Sequence, residues 1–532
     1  MRRFTATFRT DLLCLVLAAL SAAGCSSEMV PPSREVDPFI GTGGHGHTYP
    51  GATVPFGMVQ VSPDTRLDGW DGCGGYHITD DVVYGFSHTH LQGTGVSDYG
   101  DVLLMPTVGP MDTGGVWRER YRDRFVEGSQ EAHAGYYRCA LERSGVEVEL
   151  TASERVGHHR WTLEKRDTLQ LIVDLAHRDE LINYGMYPLD DSTLVGQRVS
   201  DNWAEEQHVY FAMRFSRPFE WLDQMAELEA NEVKGNLEQE MSFVPLFAMA
   251  FKDVESVEAR VSLSFVDIEG AVQNLNSEAP KSLGFDAALE AAEGRWDGAL
   301  SRIEIVEDDA EERTVFYTAL YHSLTVPNLA TDVDGRYRGT ALQIHTAPQG
   351  SPRYTVFSLW DTFRATHPLL NVLEPERTEV FVQNFIGMHE EGGKLPMWEL
   401  ASNYTGCMIG YHAVPVIADA WANGLRGFDA DAALEAMVAV ATSQDLAKPI
   451  WDSLGYLPLE KESESVSKTL EYAFDDACIA SMAEDMGRMD IAQRFGRRAQ
   501  GWRNLYNPKN QFLQPRYGAA WREAFDPTEV TF

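Results

Sequence analysis

Residues 360 to 364, Trp360-Asp361-Thr362-Phe363-Arg364, set an indole, a carboxylate and a guanidinium close together in the chain. That mixture suits a polyhydroxylated ligand such as a sugar, whose hydroxyls take charge-assisted hydrogen bonds and whose C–H faces rest on aromatic surface. The same residues also fit a structural reading, a buried Trp beside an Asp–Arg ion pair, and Arg364 suits that reading best. Trp398-Glu399 follows the turn Gly392-Gly393-Lys394-Leu395-Pro396, which makes Glu399 the internal carboxylate best placed for a sugar contact; its alternative is a salt-bridged structural acid. Residues 36–66, VDPFIGTGGHGHTYPGATVPFGMVQVSPDTR, are crowded with glycine and proline and follow neither a helical nor a strand period. Such a stretch is a shaped loop. Its glycines, Gly43 and Gly44 at the centre, would let backbone N–H groups approach a ligand, or would plug a domain interface. Trp70 precedes Gly72, Cys73, Gly74 and Gly75 and therefore sits on a loop. His88 and His90, two apart, have a spacing open to a metal, but Thr89, Gln92 and Thr94 make a polar cluster equally reasonable, and calcium prefers oxygen ligands. His367, His389 and His412 read as structural histidines.

Those loops need large domains to hold them. The chain has 532 residues with 44% hydrophobic content, enough for two or three cores. A formal charge of −36 excludes a nucleic-acid partner, because there is no basic surface to neutralise phosphates. Arg2, Arg3 and Arg9 precede the apolar run Leu12 to Leu20, which ends in Ala22-Ala23-Gly24-Cys25. The run is too short to span a bilayer and has the layout of a secretory signal. Its small residues before a cysteine resemble a bacterial lipobox, with residues 1–25 as signal and Cys25 as the lipidation site. The expected location is the cell envelope, lipid-anchored, with plain secretion as the alternative. Export permits disulfides among Cys73, Cys139, Cys407 and Cys478, while their irregular spacing offers no zinc pattern. Buried free thiols are an equal alternative.

From residue 35 to 275 the period is mostly that of strands. Val146 to Thr151, His208 to Phe215 and Val257 to Phe265 alternate, while Thr168 to Leu175 and Phe243 to Phe251 are denser apolar runs. Many strands separated by turns predict an antiparallel β-sandwich. Residues 276–309 suit linker helices. Beyond 310 the period becomes helical: Glu311 to Leu324 groups Val315, Phe316, Ala319 and Leu320, and further helices fall over Val414 to Ala422, Ala430 to Thr442, Thr469 to Met486 and Ile491 to Leu505. Stacked helix pairs after a β-domain are the reading.

The glycine-rich loop, the blocks Trp70 to His77 and Gly85 to Gly95, and the motifs Ser358 to Arg364, Gly392 to Glu399, Ser467 to Ala473 and Phe525-Asp526-Pro527 together resemble the glycoside hydrolase family 92 α-mannosidases. The resemblance implies that residues 310–532 form an (α/α)6 barrel catalytic domain following the β-sandwich. It further implies an exported, calcium-dependent, inverting exo-α-mannosidase, α-1,2-type, trimming terminal mannose from N-glycans or mannans. Mannose-containing glycans would be the partners, with the membrane touched only through a lipid anchor. On the same resemblance Trp360 and Asp361 line the subsite of the terminal mannose, and Trp70 touches the leaving sugar. The family's general acid, aspartate base and Ca2+ ligands follow the Phe-Asp-Pro motif, and this sequence shows no such segments. They are therefore expected beyond Phe532, leaving the barrel truncated and this chain without its acid and base. The alternatives are a non-catalytic carbohydrate-binding surface lipoprotein and another (α/α)6 barrel glycosidase.

Overall fold

The computed structural model describes residues 30–109, 120–222 and 246–528, so the signal segment and Cys25 lie outside the described residues. Two 19-residue strands, Val156–Asp174 and Leu246–Ser264, pair antiparallel and organise the first half of the chain. Both are buried at their ends and exposed in their middles, at Glu164 to Asp167 and around Lys252, Asp253, Glu255 and Ser256. Their register shifts between Phe251, Val254 and Ser256. A charged, irregular middle between two apolar ends is where a sheet bends, because only the ends have a layer to cover. One end pairs with Leu103–Val108 and continues to Gly85–Ser87 and Ser62–Asp64. The other end is flanked by Val146–Ala152 and Tyr136–Ala140 on one side and by Gln207–Phe215, Thr193–Asp201 and Glu180–Pro188 on the other. The sheet thus folds over itself into a sandwich whose layers share the two long strands. Within the described residues, the expected strands ending at Phe251 and beginning at Val257 prove to be the two halves of one bent strand, Leu246–Ser264.

Polar contacts cross between the layers in full burial. His88 Nε2 lies 2.9 Å from His159 Nε2. Because His88 Nδ1 is 2.7 Å from the Val102 carbonyl and must donate to it, His88 Nε2 is the acceptor of that pair and His159 the donor. Burial lowers the His88 pKa to about 4, so both rings are neutral hydrogen-bonding struts rather than metal ligands. Asp101 receives the Arg198 guanidinium on one oxygen; on the other it accepts Gln207 Nε2 at 2.5 Å and the Thr89 hydroxyl at 2.6 Å.

The helix Ile268–Glu278 begins where Asp267 accepts the Gly270 N–H at 2.7 Å, an N-cap. Its Ala271, Leu275 and Ala279 pack against Val156, Val195 and Ala212 of the sandwich. The next helix, Phe285–Leu300, buries Trp296 completely and sends its Nε1–H to the Thr53 carbonyl at 2.7 Å. The linking helices therefore belong physically to the sandwich, and the first begins eight residues before the expected boundary at 276. In the helix Ala310–Ser323 the buried residues are Tyr317, Thr318, Leu320 and Tyr321, while Val315 is exposed. The expected face was rotated because Tyr321 packs on Trp296, 4.4 Å between ring centroids, and pulls the large aromatics inward.

Beyond it, the helix Ser465–Asp485 packs against Ala413–Ala422, Ala430–Ala441 and Met489–Arg498. The two halves meet through residues 53–57. Phe56 donates its N–H to Leu324 and accepts from Leu329 N–H, while its ring lies under the Arg377 guanidinium and against Phe381. Cys73 and Cys139 are buried free thiols, and Cys407 and Cys478 are half-buried free thiols. Among the described residues no helix is long and apolar enough to cross a membrane.

The Asp101 node makes the sandwich testable. Replacing Asp101 by Ala strands the buried Arg198 charge, so urea unfolding followed by tryptophan fluorescence is expected to show a loss of about 3–5 kcal/mol. A loss below about 1 kcal/mol, the range of a surface pair, would show that the cross-layer contact carries little.

Candidate active site

A three-stranded sheet of short strands brings two of the motifs together. Phe357–Ser358 pairs antiparallel with Trp398–Leu400, placing Ser358 opposite Trp398 and Phe357 opposite Glu399. The strand Asn403–Tyr404 completes it. The chain turns from Ser358 directly into the short helix Leu359–Thr362, which presents Trp360 and Asp361. Asp361 is exposed and is held by the Ser358 hydroxyl.

Glu471 joins this group from the helix Ser465–Asp485. Its Oε1 accepts Arg364 Nη2 at 2.5 Å and Trp360 Nε1 at 3.3 Å. Its Oε2 lies 3.4 Å from His412 Nε2, and His412 Nδ1 is 2.8 Å from Asp475 Oδ1. Phe363 stacks on the His412 imidazole, 4.1 Å between centroids and 15° from parallel. All three residues of the Trp-Asp-x-x-Arg pattern are thus accounted for, but the Arg364 partner is Glu471 rather than Asp361. Glu471 lies within the Ser467 to Ala473 motif, in the interior of the helix Ser465–Asp485. A glutamate inside a helix carries no local signal of its partners, and only the tertiary fold supplies Trp360 and Arg364.

Beside Asp361 opens a cleft of about 520 Å³, open space included, between the two halves of the molecule. Gln92, Gly93 and Thr94 of the sandwich form one wall, and Val356, Ser358, Asp361 and Thr366 of the helical half form the other. Gln92 Nε2 ties the walls by donating to the His322 carbonyl at 3.2 Å. Trp70 stands next to this rim, largely exposed, with its ring lying over Gly95. A Cβ at Gly95 would sit 2.1 Å from the Trp70 ring, so only glycine permits that placement. His47 meets Trp70 edge-on at 5.0 Å, and its carbonyl accepts the Gly93 N–H.

The glycine loop lies one layer behind. Gly44 presents its carbonyl to His77 Nε2 at 3.3 Å, Gly43 faces Ile78, and His45 contacts Asp71 at 2.5 Å. It buttresses the Trp70 turn, while residues 53–57 make the domain contact. Glu399 is placed differently again. It is 2% exposed, and its two oxygens accept the Thr355 hydroxyl at 2.9 and 3.0 Å, Ser402 N–H at 2.7 Å and Val356 N–H at 3.1 Å. Burial pushes its pKa up to about 7 despite those donors. Those oxygens face backbone and Thr355, so the structure gives Glu399 a loop-holding place behind the cleft wall and not a seat in it.

A calcium site was tested against the same side chains. Calcium takes about six to eight oxygen ligands. Among the described residues no group of three or more His, Cys, Asp or Glu side chains converges on a metal position. Asp361 and Glu471 are engaged by Ser358, Arg364 and Trp360, so this donor set does not fit the ion. His88 is spent on Val102 and His159, and His90 on the Gln60 carbonyl at 2.9 Å.

With this geometry established, the relatives can be placed. Residues 35–264 match the glycosyl hydrolase family 92 N-terminal domain and residues 270–531 the glycosyl hydrolase family 92 catalytic domain. The solved α-mannosidase BT3965 of Bacteroides thetaiotaomicron superposes with a TM-score of 0.87 at 34% identity, over 94% of this chain and 69% of that one. The inverting mannosidase BT2199 of the same species gives 0.83 at 28% identity, over 95% of this chain and 69% of its own. An uncharacterized secreted glycosidase of Arthroderma benhamiae is 24% identical across 91% of this chain, which spans 65% of that relative's length. Both halves of the fold and the order of their motifs agree with one assignment: the chain belongs to glycosyl hydrolase family 92.

Proposed function

We propose that the protein is an exported, calcium-dependent, inverting exo-α-mannosidase that removes terminal α-1,2-linked mannose from N-glycans or mannans. The observation that carries the reading is Asp361 in the wall of the interdomain cleft, on the same short helix as Trp360, whose indole meets Arg364 on Glu471. The indole offers a platform for one face of a pyranose. Asp361 and Glu471 accept its hydroxyls, and Arg364 donates while it fixes Glu471. Trp70, set across the rim by Gly95, meets the sugar on the leaving side. Family membership and the mannosidase names of the solved relatives support mannose over other hexoses.

Inversion requires a general acid and a general base whose carboxyls stand about 6.5–9.5 Å apart, with water between them. Asp361 and Glu471 are assigned to binding and neither is given a proton-transfer role. Calcium, which the Asp361 and Glu471 donor set does not fit, would be held by the ligands that the family resemblance places after the Phe-Asp-Pro motif and would anchor sugar hydroxyls electrostatically there. Attachment to the envelope would run through a lipidated Cys25.

With the acid, base and calcium ligands that the family resemblance places after the Phe-Asp-Pro motif, the protein is expected to release mannose from α-1,2-mannobiose as the inverted β-anomer, followed by proton NMR. A chelator should stop the release and added calcium restore it. Cleavage of α-glucobiose in preference to mannobiose, or release of the retained anomer, would refute the assignment.

Asp361→Ala removes two charge-assisted hydrogen bonds worth roughly 1.5–3 kcal/mol each, so kcat/KM is expected to fall by about 10²–10⁴-fold. The thermal midpoint should hardly move, since Asp361 is exposed and bonded only locally. A large midpoint drop with unchanged kcat/KM would return Asp361 to a structural role.

A further inference from the structure

His412 precedes the helix Ala413–Ala422 and is 1% exposed, yet its environment is polar on both edges. Asp475 Oδ1 lies 2.8 Å from Nδ1, and Asp475 is itself oriented by the Tyr411 N–H on its other oxygen at 2.8 Å. That arrangement makes Nδ1 the donor, because an oriented carboxylate beside it accepts. The opposite nitrogen, Nε2, is buried without a hydrogen bond and stands 3.4 Å from Glu471 Oε2, an ion pair when the ring carries a proton on both nitrogens, since a bare Nε2 would repel the carboxylate. Phe363 covers the ring, and Gly410, with φ +83°, lies so close that a Cβ there would be 2.3 Å from Nε2. The imidazole therefore has no room to flip or swing.

Glu471 and Asp475 are four residues apart on one helix and so share a face. His412 is wedged between these two carboxylates. Glu471 Oε1 has two donors, but Oε2 has only His412 beside it, and Arg364 is itself 55% exposed. A carboxylate anchored on one oxygen by a solvent-facing arginine can still rotate about its last torsion. A fixed group on the second oxygen removes that freedom, which a binding site needs in its supporting shell.

We propose that His412, locked by Asp475, Phe363 and Gly410, is a positioning residue that holds Glu471 in the orientation in which it receives a sugar hydroxyl. The inference rests on the reading of the Trp360–Glu471 cluster as a sugar site. A purely structural histidine would stabilise the helix pair without affecting where the Glu471 carboxylate points.

The test pairs a ligand-free measurement with a binding cycle. A crystal structure of His412→Asn, which keeps a donor for Asp475 and loses reach toward Glu471, is expected to show Glu471 turned off Trp360 Nε1. An unmoved Glu471 would overturn the proposal. In calorimetric titrations with mannoimidazole, His412→Asn should bind roughly tenfold more weakly, through loss of the contact that holds the Glu471 carboxylate. His412→Gln, whose amide reaches the Nε2 position, should stay within about threefold. In a Glu471→Gln background the His412→Asn loss should vanish, since coupled residues are non-additive; fully additive losses would overturn the proposal. If the unmodified protein ignores mannoimidazole, the mannosidase reading fails on its own, and the position of Glu471 in His412→Asn still decides the role of His412.

Discussion

Among the contacts that join the halves around the cleft, the most directional is Phe56 of the sandwich, seated in the helical half. Its backbone bonds to Leu324 and Leu329 on both sides, and its ring is enclosed by Phe381 and the Arg377 guanidinium. Burying a phenylalanine stabilises by about 1.5–3 kcal/mol, but the directional bonds matter more here than the area. Hydrogen bonds from one residue's N–H and C=O to two points of another domain set both distance and rotation. Phe56 adopts φ +56°, a conformation that costs a non-glycine residue roughly 1–3 kcal/mol, so the contact offsets a local strain. With the peg fixed, Gln92 reaches the His322 carbonyl and Gly93 and Thr94 face Asp361 across the gap. A site built from both halves inherits its geometry from this junction.

The order of the two architectures was legible in the sequence because the hydrophobic period changes from two to that of a helix along the chain. What escaped was the bend. The Lys252-Asp253-Val254-Glu255-Ser256 stretch reads locally as the end of one strand and the start of another, whereas the paired Val156–Asp174 strand carries the ladder through it with only a register shift. The rotated face of Ala310–Ser323 escaped for a different reason. Tyrosine sits midway on any apolar scale, and the partner, Trp296, decides that Tyr321 turns inward.

At the site, spacing found Trp360, Asp361 and Arg364 because they lie within one turn of chain. It could not find that Arg364 is matched to Glu471, more than a hundred residues away. Nor could it tell a binding glutamate from a supporting one. Trp70 was legible as a loop aromatic beside glycines, but the reason for its exposure is Gly95, in a different motif. The glycine loop was legible as shaped backbone, while its actual task, buttressing the Trp70 turn, depends on His77 and Asp71.

Glu399 and Glu471 show how environment divides labour between like side chains. Both come from motifs that the family shares, and they lie on either side of the same short strand that leads to Trp360. Glu399 is enclosed, and its three donors, the Thr355 hydroxyl and two N–H groups, include the backbone of Val356 and Ser402, residues with φ +66° and +68°. Two left-handed, non-glycine positions, one of them β-branched, are strained unless something over-determines them. A buried carboxylate with all its lone pairs committed does so, and burial raises its pKa as a result. Glu471 keeps part of its surface exposed, with one oxygen shared by an indole and an exposed guanidinium. The first can shape a wall and not touch a ligand; the second can exchange its partners for hydroxyls. The strand Phe357–Ser358 carries the influence of Glu399 to the cleft wall, because fixing Val356 fixes Ser358, and Ser358 holds Asp361.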